Sequence, residues 1–442
     1  MQRRRFVLSA ALALAANTLA VGVLAQQQLP HGLTPGQPYK GTTLNVLWVA
    51  TPQFHGLQLR DEEFTRLTGI TLKYTEVPFP NLQEKVSAVG VAANGDFDIV
   101  NYLDSWGPSY GRWLVPLDKF IARDGLDMNR YPDAFKKSVT VNNQVMGLPL
   151  RGHPQLLFYR ADLLQELNLK APATWQDVVE TGKIIKAKKG IAPLACYYGA
   201  DGNRQNLFIW LNFLWGAGEK IFDGKGMPAW TTPGALKATR DYIELHTKHQ
   251  LCAEGATSFV EQDARTSYNQ GRAAMVPVWW WHYSTAVNPK QSTLKPEQVG
   301  FVAMPSYGKA VSYAITMPFS ISRYSKQQEA AWEYLKWVSN PDLEKKNATE
   351  RTVKGKEIIN NVVLHKASLL DPQVNAANAN IQYAAAISLR ESDVMPLIAE
   401  WPQVGDLLSQ AINKAALGGN VDELMKDAAR QSERVLRRAQ RK

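Results

Sequence analysis

The sequence predicts an α/β protein with more than one hydrophobic core. Two observations carry that prediction. The chain has 442 residues, more than a single core usually spans. Residues 44–77 read as strand, loop, helix and strand within about forty residues, the signature of a parallel sheet. Hydrophobic residues at 45% and charged residues at 20% fit a globular chain with no low-complexity bulk.

The N-terminus reads as an export signal outside the fold. Arg3, Arg4 and Arg5 precede an apolar run over residues 6–24, and the small residues before Gln26 suit cleavage, which sets residues 1–25 apart. The arginines fit a twin-arginine route as well as the general one. An uncleaved anchor helix is the rival reading. No cysteine follows the cleavage site, so no lipid anchor is expected, and the mature chain is expected in the periplasm. Residues 26–40 are polar, rich in Pro and Gly, and read as a leader.

Residues 44–49 form the first strand, and the loop at its C-terminal end carries Gln53 and His55. A helix through Asp61, Phe64 and Leu67 stops at Gly69, where a helix-ending glycine belongs. Residues 70–77 alternate as a second strand. Leu82, Val86 and Val89 recur at helical spacing. Residues 97–100 are a short buried strand followed by Tyr102, Asp104 and Trp106. A carboxylate between aromatics holds a polyhydroxyl ligand by its faces and its hydroxyls. The plainer alternative for Asp104 is a turn or cap residue.

Residues 145–150 and 156–159 read as two strands joined through Arg151, Gly152, His153 and Pro154, whose Gly and Pro mark a hinge. Thr174 caps the next helix, with Asp177 three residues on. Residues 194–198 read as a strand ending in Tyr197 and Tyr198. Residues 206–215 form an amphipathic helix, and Thr232 with Pro233 starts another. His246 and His249 lie one turn apart on it, but no third ligand is near, so no metal is expected.

Residues 268–283 run from a helix end through a turn at Gly271 and a buried strand into Trp279, Trp280 and Trp281. Alternation sends neighbouring side chains to opposite sides, so the three cannot all face one core. An accessible flat ring suits the C–H face of a sugar or a cation, the alternative being a core or interface cluster. Strands at 299–305 and 312–321 follow. A helix over 327–338, one over 403–417, and a last helix opened by a capping box of Asn420 and Glu423 complete the chain.

The formal charge is +10, and removing the three signal arginines lowers it to +7. Much of the excess lies in the final helix, a solvated face more readily than a nucleic-acid site. Cys196 and Cys252 could form a disulfide in an oxidising compartment, although spacing alone does not show that they meet. No phosphate loop, dinucleotide fingerprint, zinc motif or nucleophile elbow is present, and no cofactor is expected.

The ordered set Leu67-Thr68-Gly69-Ile70-Thr71-Leu72, Asp98-Ile99-Val100, Gly147-Leu148-Pro149 and Phe158-Tyr159-Arg160-Ala161-Asp162-Leu163 resembles the extracellular solute-binding proteins of ABC importers for sugars, the group containing maltose-binding protein. Pro172-Ala173-Thr174-Trp175, Asn269-Gln270-Gly271-Arg272-Ala273-Ala274-Met275, Ala330-Ala331-Trp332-Glu333-Tyr334-Leu335 and Met395-Pro396 continue the likeness. It implies a periplasmic-binding-protein fold of two discontinuous α/β lobes, residues 41–149 plus 309–339 and residues 150–308 plus 340–442, with a hinge and a ligand cleft between them. It also implies ligand contacts at Gln53, His55, Tyr102, Asp104, Trp106, Arg151, Tyr197, Tyr198, Trp281 and Trp401. Trp281 matches the family's stacking tryptophan. Ser312-Tyr313 stands where the family often has a Gly-Gly pair.

The function implied is capture of a sugar or polyol by a monomer that closes on it and hands it to a membrane permease. Two alternatives stand. A secreted carbohydrate-active enzyme would need two carboxylates roughly 5 to 9.5 Å apart across one cleft. The same fold could instead take a phosphorylated or acidic solute, drawn by Arg151, or a quaternary amine caged by tryptophans.

Overall fold

A computed structural model describes residue 29 and residues 32–200, 203–358 and 362–441. The expected export signal lies outside the described residues. Among the described residues no helix is long and apolar enough to cross a membrane. The leader is anchored at its end. Leu33 is buried, the Thr34 backbone N–H donates to Glu333 Oε2 at 2.9 Å, and Lys336 Nζ donates to the Gly32 carbonyl at 2.9 Å.

Eight strands form one sheet: β1 (Thr43–Val49), β2 (Thr71–Val77), β3 (Ile99–Asn101), β4 (Leu148–Arg160), β5 (Ala192–Leu194), β6 (Ala273–Trp279), β7 (Val299–Ala303) and β8 (Ala314–Ile321). The order is β2-β1-β3-β8-β4-β6-β5, with β7 also on β4. Pairing is parallel for β1 with β2 and β3 and for β5 with β6, and antiparallel wherever β4 or β8 takes part. Parallel neighbours need crossover helices, which explains why Asp61–Thr68 stands between β1 and β2 and Phe79–Ala92 between β2 and β3.

Most buried hydrophobic residues fall into two large clusters, beside a small third one of Leu163, Leu164, Ile185 and Ala274. One gathers β1, β3, the helix Gln328–Val338, Leu148 and Met317. The other gathers β6, the helix Leu207–Gly216, the C-terminal helices, Leu156 and Ile315. Tyr131, Phe135 and Tyr313 pack with the second cluster, and Leu343 with the first. The chain passes between the cores along β4 and β8.

Residues 145–150 and 156–159 are therefore not two strands joined by a loop. Residues 148–160 are one strand of 13 residues, because Gly152 and Pro154 keep their ladder partners on β8, Thr316 and Ala314. Gly152 is required for packing. A Cβ there would lie 2.7 Å from Phe135 Cζ and 2.8 Å from Leu364 Cδ2. The break in regularity comes one turn of the pleat earlier, where Pro149 faces Pro318 beside a register shift. Two facing prolines remove two ladder donors at one level, so the strand pair is weakest between the two cores.

Two other expectations change. The strand expected over 194–198 ends at Leu194, because the Cys196 N–H turns back to the Leu194 carbonyl at 3.1 Å and Cys196 is bonded to Cys252. The strand expected from Ser312 begins at Ala314. The disulfide joins residues 56 apart, a loop whose closure removes about 4 kcal/mol of unfolded-chain entropy at 25 °C in the chain-entropy picture. Thr174 forms the expected capping box with Asp177, and the Asn420 side chain accepts from the Glu423 N–H at 3.1 Å.

Candidate functional site

β6 ends at Trp279, and residues Trp280–His282 turn as a short 3-10 helix. Leaving the strand there sends three consecutive indoles in three directions. Trp279 is buried, its Nε1 donates to Glu261 Oε2 at 2.7 Å, and its ring lies 5.2 Å from Phe208 and 5.4 Å from Tyr313. Trp280 is fully buried against β4, with Nε1 shared between His153 Nδ1 at 3.0 Å and the Gly152 carbonyl at 3.1 Å. Trp281 is half-buried, with the Arg265 guanidinium 4.8 Å from its ring centre and His153 edge-on at 6.4 Å.

Helix Glu261–Asn269 supplies the charges. Glu261 and Arg265, one turn apart, are ion-paired at 2.9 Å. Burial raises the Glu261 carboxyl above its usual range, opposed by Arg265, Trp279 and Arg151. On β4, Arg151 and His153 alternate onto one face, the face that meets Trp281. Burial pulls the Arg151 guanidinium down to about 10, with Glu261 opposing, so it remains a cation at neutral pH. The His153 imidazole is pushed well below its usual value by burial and by Arg151, and is neutral.

The expected site residues divide. Trp281 joins this cluster through His153 and Arg265, Arg151 lies within the field of Glu261 and His153, and Tyr197 lies within the field of Glu261 and Arg265, its hydroxyl donating to the Pro277 carbonyl at 3.2 Å. Gln53 shares a cavity of about 30 Å³ with Arg151, Asn347 and Leu364, large enough for about one water. Asp104 is buried and ties the first core to β8: its oxygens accept the N–H groups of Thr316 at 2.8 Å and Ser105 at 2.7 Å.

The others do not join them. Tyr102 and Trp106 pack in the first core, Tyr102 taking a bond from Ser320 Oγ at 3.3 Å and Trp106 stacking 6.0 Å from Phe79. Tyr198 points into the second core and donates to the Tyr242 carbonyl at 3.0 Å. Trp401 is buried there against Met395 Sδ at 3.3 Å. His55 is exposed on a helix. The polar atoms of Tyr102, Tyr198 and Trp401 already have internal partners.

His153, Glu261, Arg265 and Tyr313 were absent from the sequence reading of the site. The spacing of Glu261 and Arg265 is that of a helical ion pair, which signals pairing but not direction. Arg151 and His153 would have shared a face had residues 148–160 been read as one strand.

Burial raises Asp104 to about 7, against the two N–H bonds, from the 3.8 of a free carboxyl. The folded state then binds its proton more tightly than the unfolded state. Stability from this group is greatest below about pH 4, falls as pH rises toward about 7, and is flat above. Asp61, raised to about 7 by burial, acts in the same direction. Thermal melts from pH 4 to 8 should show this decline, and Asp104→Asn should reduce its slope; an unchanged slope would count against the buried carboxyl.

Comparison with known proteins adds the following. The model of the family described as bacterial extracellular solute-binding protein matches residues 51–345. A Brucella abortus (strain 2308) protein, named only as a candidate binding protein, is 25% identical over 84% of this chain and 87% of its own length. The solved structure of T. maritima MalE3 with maltose bound superposes with a TM-score of 0.75 at 21% identity, covering 89% of this chain and 99% of that one. A solute-binding protein of an ABC transporter from Agrobacterium radiobacter K84, solved in complex with ribitol, gives a TM-score of 0.72 at 22% identity, covering 90% and 100%.

Proposed function

The chain belongs to the bacterial extracellular solute-binding protein family, and from that premise we propose that it captures a sugar or polyol between its two cores and delivers it to the membrane permease of an ABC importer. The lobes are taken as residues 41–149 plus 309–339 and residues 150–308 plus 340–442. The observation that carries the reading is Trp281, the partly exposed member of three consecutive tryptophans, set beside the strand that passes between the cores. A ring so placed supplies apolar area to the C–H face of a ring sugar or the chain of a polyol. The structures that resemble this one were solved with maltose and with ribitol, both polyhydroxylated.

A glycosidase reading is disfavoured by the state of the acids. Glycoside hydrolysis needs two carboxylates open to one substrate. Asp104 has both oxygens on backbone N–H groups, and Glu261 is held by Arg265 and Trp279. Both are engaged by internal partners.

A thermal-shift screen of the mature chain over maltose, ribitol, D-mannitol and D-glucose tests the proposal. At a ligand concentration of about 100 Kd, stabilisation of about 2.7 kcal/mol is expected. Hydrolysis of a glycoside by the purified chain would overturn it.

A further inference from the structure

Recognition of neutral hydroxyls rests on acceptors that can take their protons. The carboxylate nearest Trp281 is already engaged, Glu261 by its ion pair with Arg265 at 2.9 Å and by the Trp279 N–H at 2.7 Å, and Asp104, which ties the first core to β8, is held by the Thr316 and Ser105 N–H groups. What is left over are donors. Arg151 reaches only Met317 Sδ, at 3.0 Å, a weak acceptor, and its Nε has no partner among the described residues. Because the Trp280 indole donates to His153 Nδ1, the proton of the neutral imidazole sits on Nε2, which also lacks a partner among the described residues.

The charges are equally one-sided. Arg265 is matched by Glu261 and Arg204 by Asp406 at 2.8 Å. Glu344 lines the cavity beside Arg151, but its oxygens accept the Leu364 and His365 backbone N–H groups at 2.8 and 3.1 Å and lie 2.9 Å from His365 Nδ1. Arg151 is therefore a guanidinium between two cores with no carboxylate in ion-pair contact among the described residues, Glu261 acting on it only from a distance. An unpaired charge in such a place is costly, and a guanidinium fork fits a carboxylate with two parallel bonds.

We propose that the solute is a sugar acid, whose single carboxylate is bound by Arg151 and the His153 Nε2–H while its carbon skeleton lies on Trp281. This rests on the proposed site at Trp281 and narrows its ligand. One uncompensated cation matches a monoanion rather than a phosphate dianion. An amino acid would bring an ammonium group, for which the occupied Glu261 and Asp104 leave no acceptor. A quaternary amine would meet Arg151 as a like charge.

The test is titration calorimetry of the mature chain with D-gluconate, D-glucuronate, D-glucitol, glucose 6-phosphate and L-glutamate, repeated on Arg151→Gln, Arg151→Lys and Trp281→Ala. D-gluconate or D-glucuronate should bind at least about 30-fold more tightly than D-glucitol, the worth of a charge-assisted bond pair. Arg151→Gln should abolish that preference, Arg151→Lys should keep part of it, and added salt should weaken acid binding in the wild type. Equal or tighter binding of D-glucitol, tightest binding of glucose 6-phosphate or L-glutamate, or an acid preference that survives Arg151→Gln overturns the proposal. If Trp281→Ala weakens every ligand while acid and polyol bind alike, the inference fails and the site stands. If Trp281→Ala changes nothing, the site itself is misplaced.

Discussion

Trp280→Ala is expected to cost about 4 kcal/mol of unfolding free energy, the usual scale for emptying a buried tryptophan site. The side chain is fully buried, and its indole N–H is shared between His153 Nδ1 and the Gly152 carbonyl, both on β4. Truncation opens a cavity between β6 and the strand that joins the two cores, and it leaves those two acceptors without their donor. Trp280→Phe separates the contributions. It keeps an aromatic ring but removes the N–H and part of the volume, so a loss of about 1 to 2 kcal/mol is expected, smaller than for Trp280→Ala. Urea denaturation followed by circular dichroism measures both, and a loss below about 1 kcal/mol for Trp280→Ala would mean that the indole does not brace β4.

The consequence reaches the site. The same indole fixes which His153 nitrogen carries the proton, so a stability residue and a candidate ligand donor are coupled through one hydrogen bond. Neighbouring tryptophans thus have separate work: Trp279 orients Glu261, Trp280 orients His153, and Trp281 presents its ring.

The element types were largely legible because they rest on local chemistry. The alternation of β1 and β2 around a helix ended by Gly69, and the caps at Thr174 and Thr232, are written in short windows of sequence. β4 was not. Gly152 and Pro154 are local signals for a loop, and what overrides them is non-local: β8 on one side, and Phe135 with Leu364 pressing where a side chain would be. Misreading that strand hid the pairing of Arg151 with His153 on one face.

The site residues follow the same division. The tryptophan run and Arg151 are conspicuous by composition, and His153, on the same strand face as Arg151, meets Trp281. Tyr102, Tyr198 and Trp401 carry the same chemistry in sequence, but an aromatic at a strand end can face either the cleft or the core. Only packing decides, and here it places all three inside. Glu261 and Arg265 precede the tryptophans by more than a dozen residues, and their direction is fixed by how their helix lies on β6.

Trp281 separates the binding reading from a purely structural one. Its ring is half-buried and already carries Arg265 at 4.8 Å, so a ligand is expected to use its remaining surface or to displace that guanidinium. Roughly 100 Å² of apolar contact at about 25 cal/mol per Å² corresponds to a loss on the order of 30- to 100-fold in affinity when the ring is removed. Because the ring is only partly covered, Trp281→Ala should change unfolding free energy by less than about 1 to 2 kcal/mol, much of it the lost cation–π contact. Titration calorimetry of Trp281→Ala against the wild type, with the solute that stabilises the wild type most, is the most direct measurement. A fall in affinity of at least about 30-fold with nearly unchanged stability is the predicted result, and intact affinity with a large loss of stability would place Trp281 in the core and the solute elsewhere.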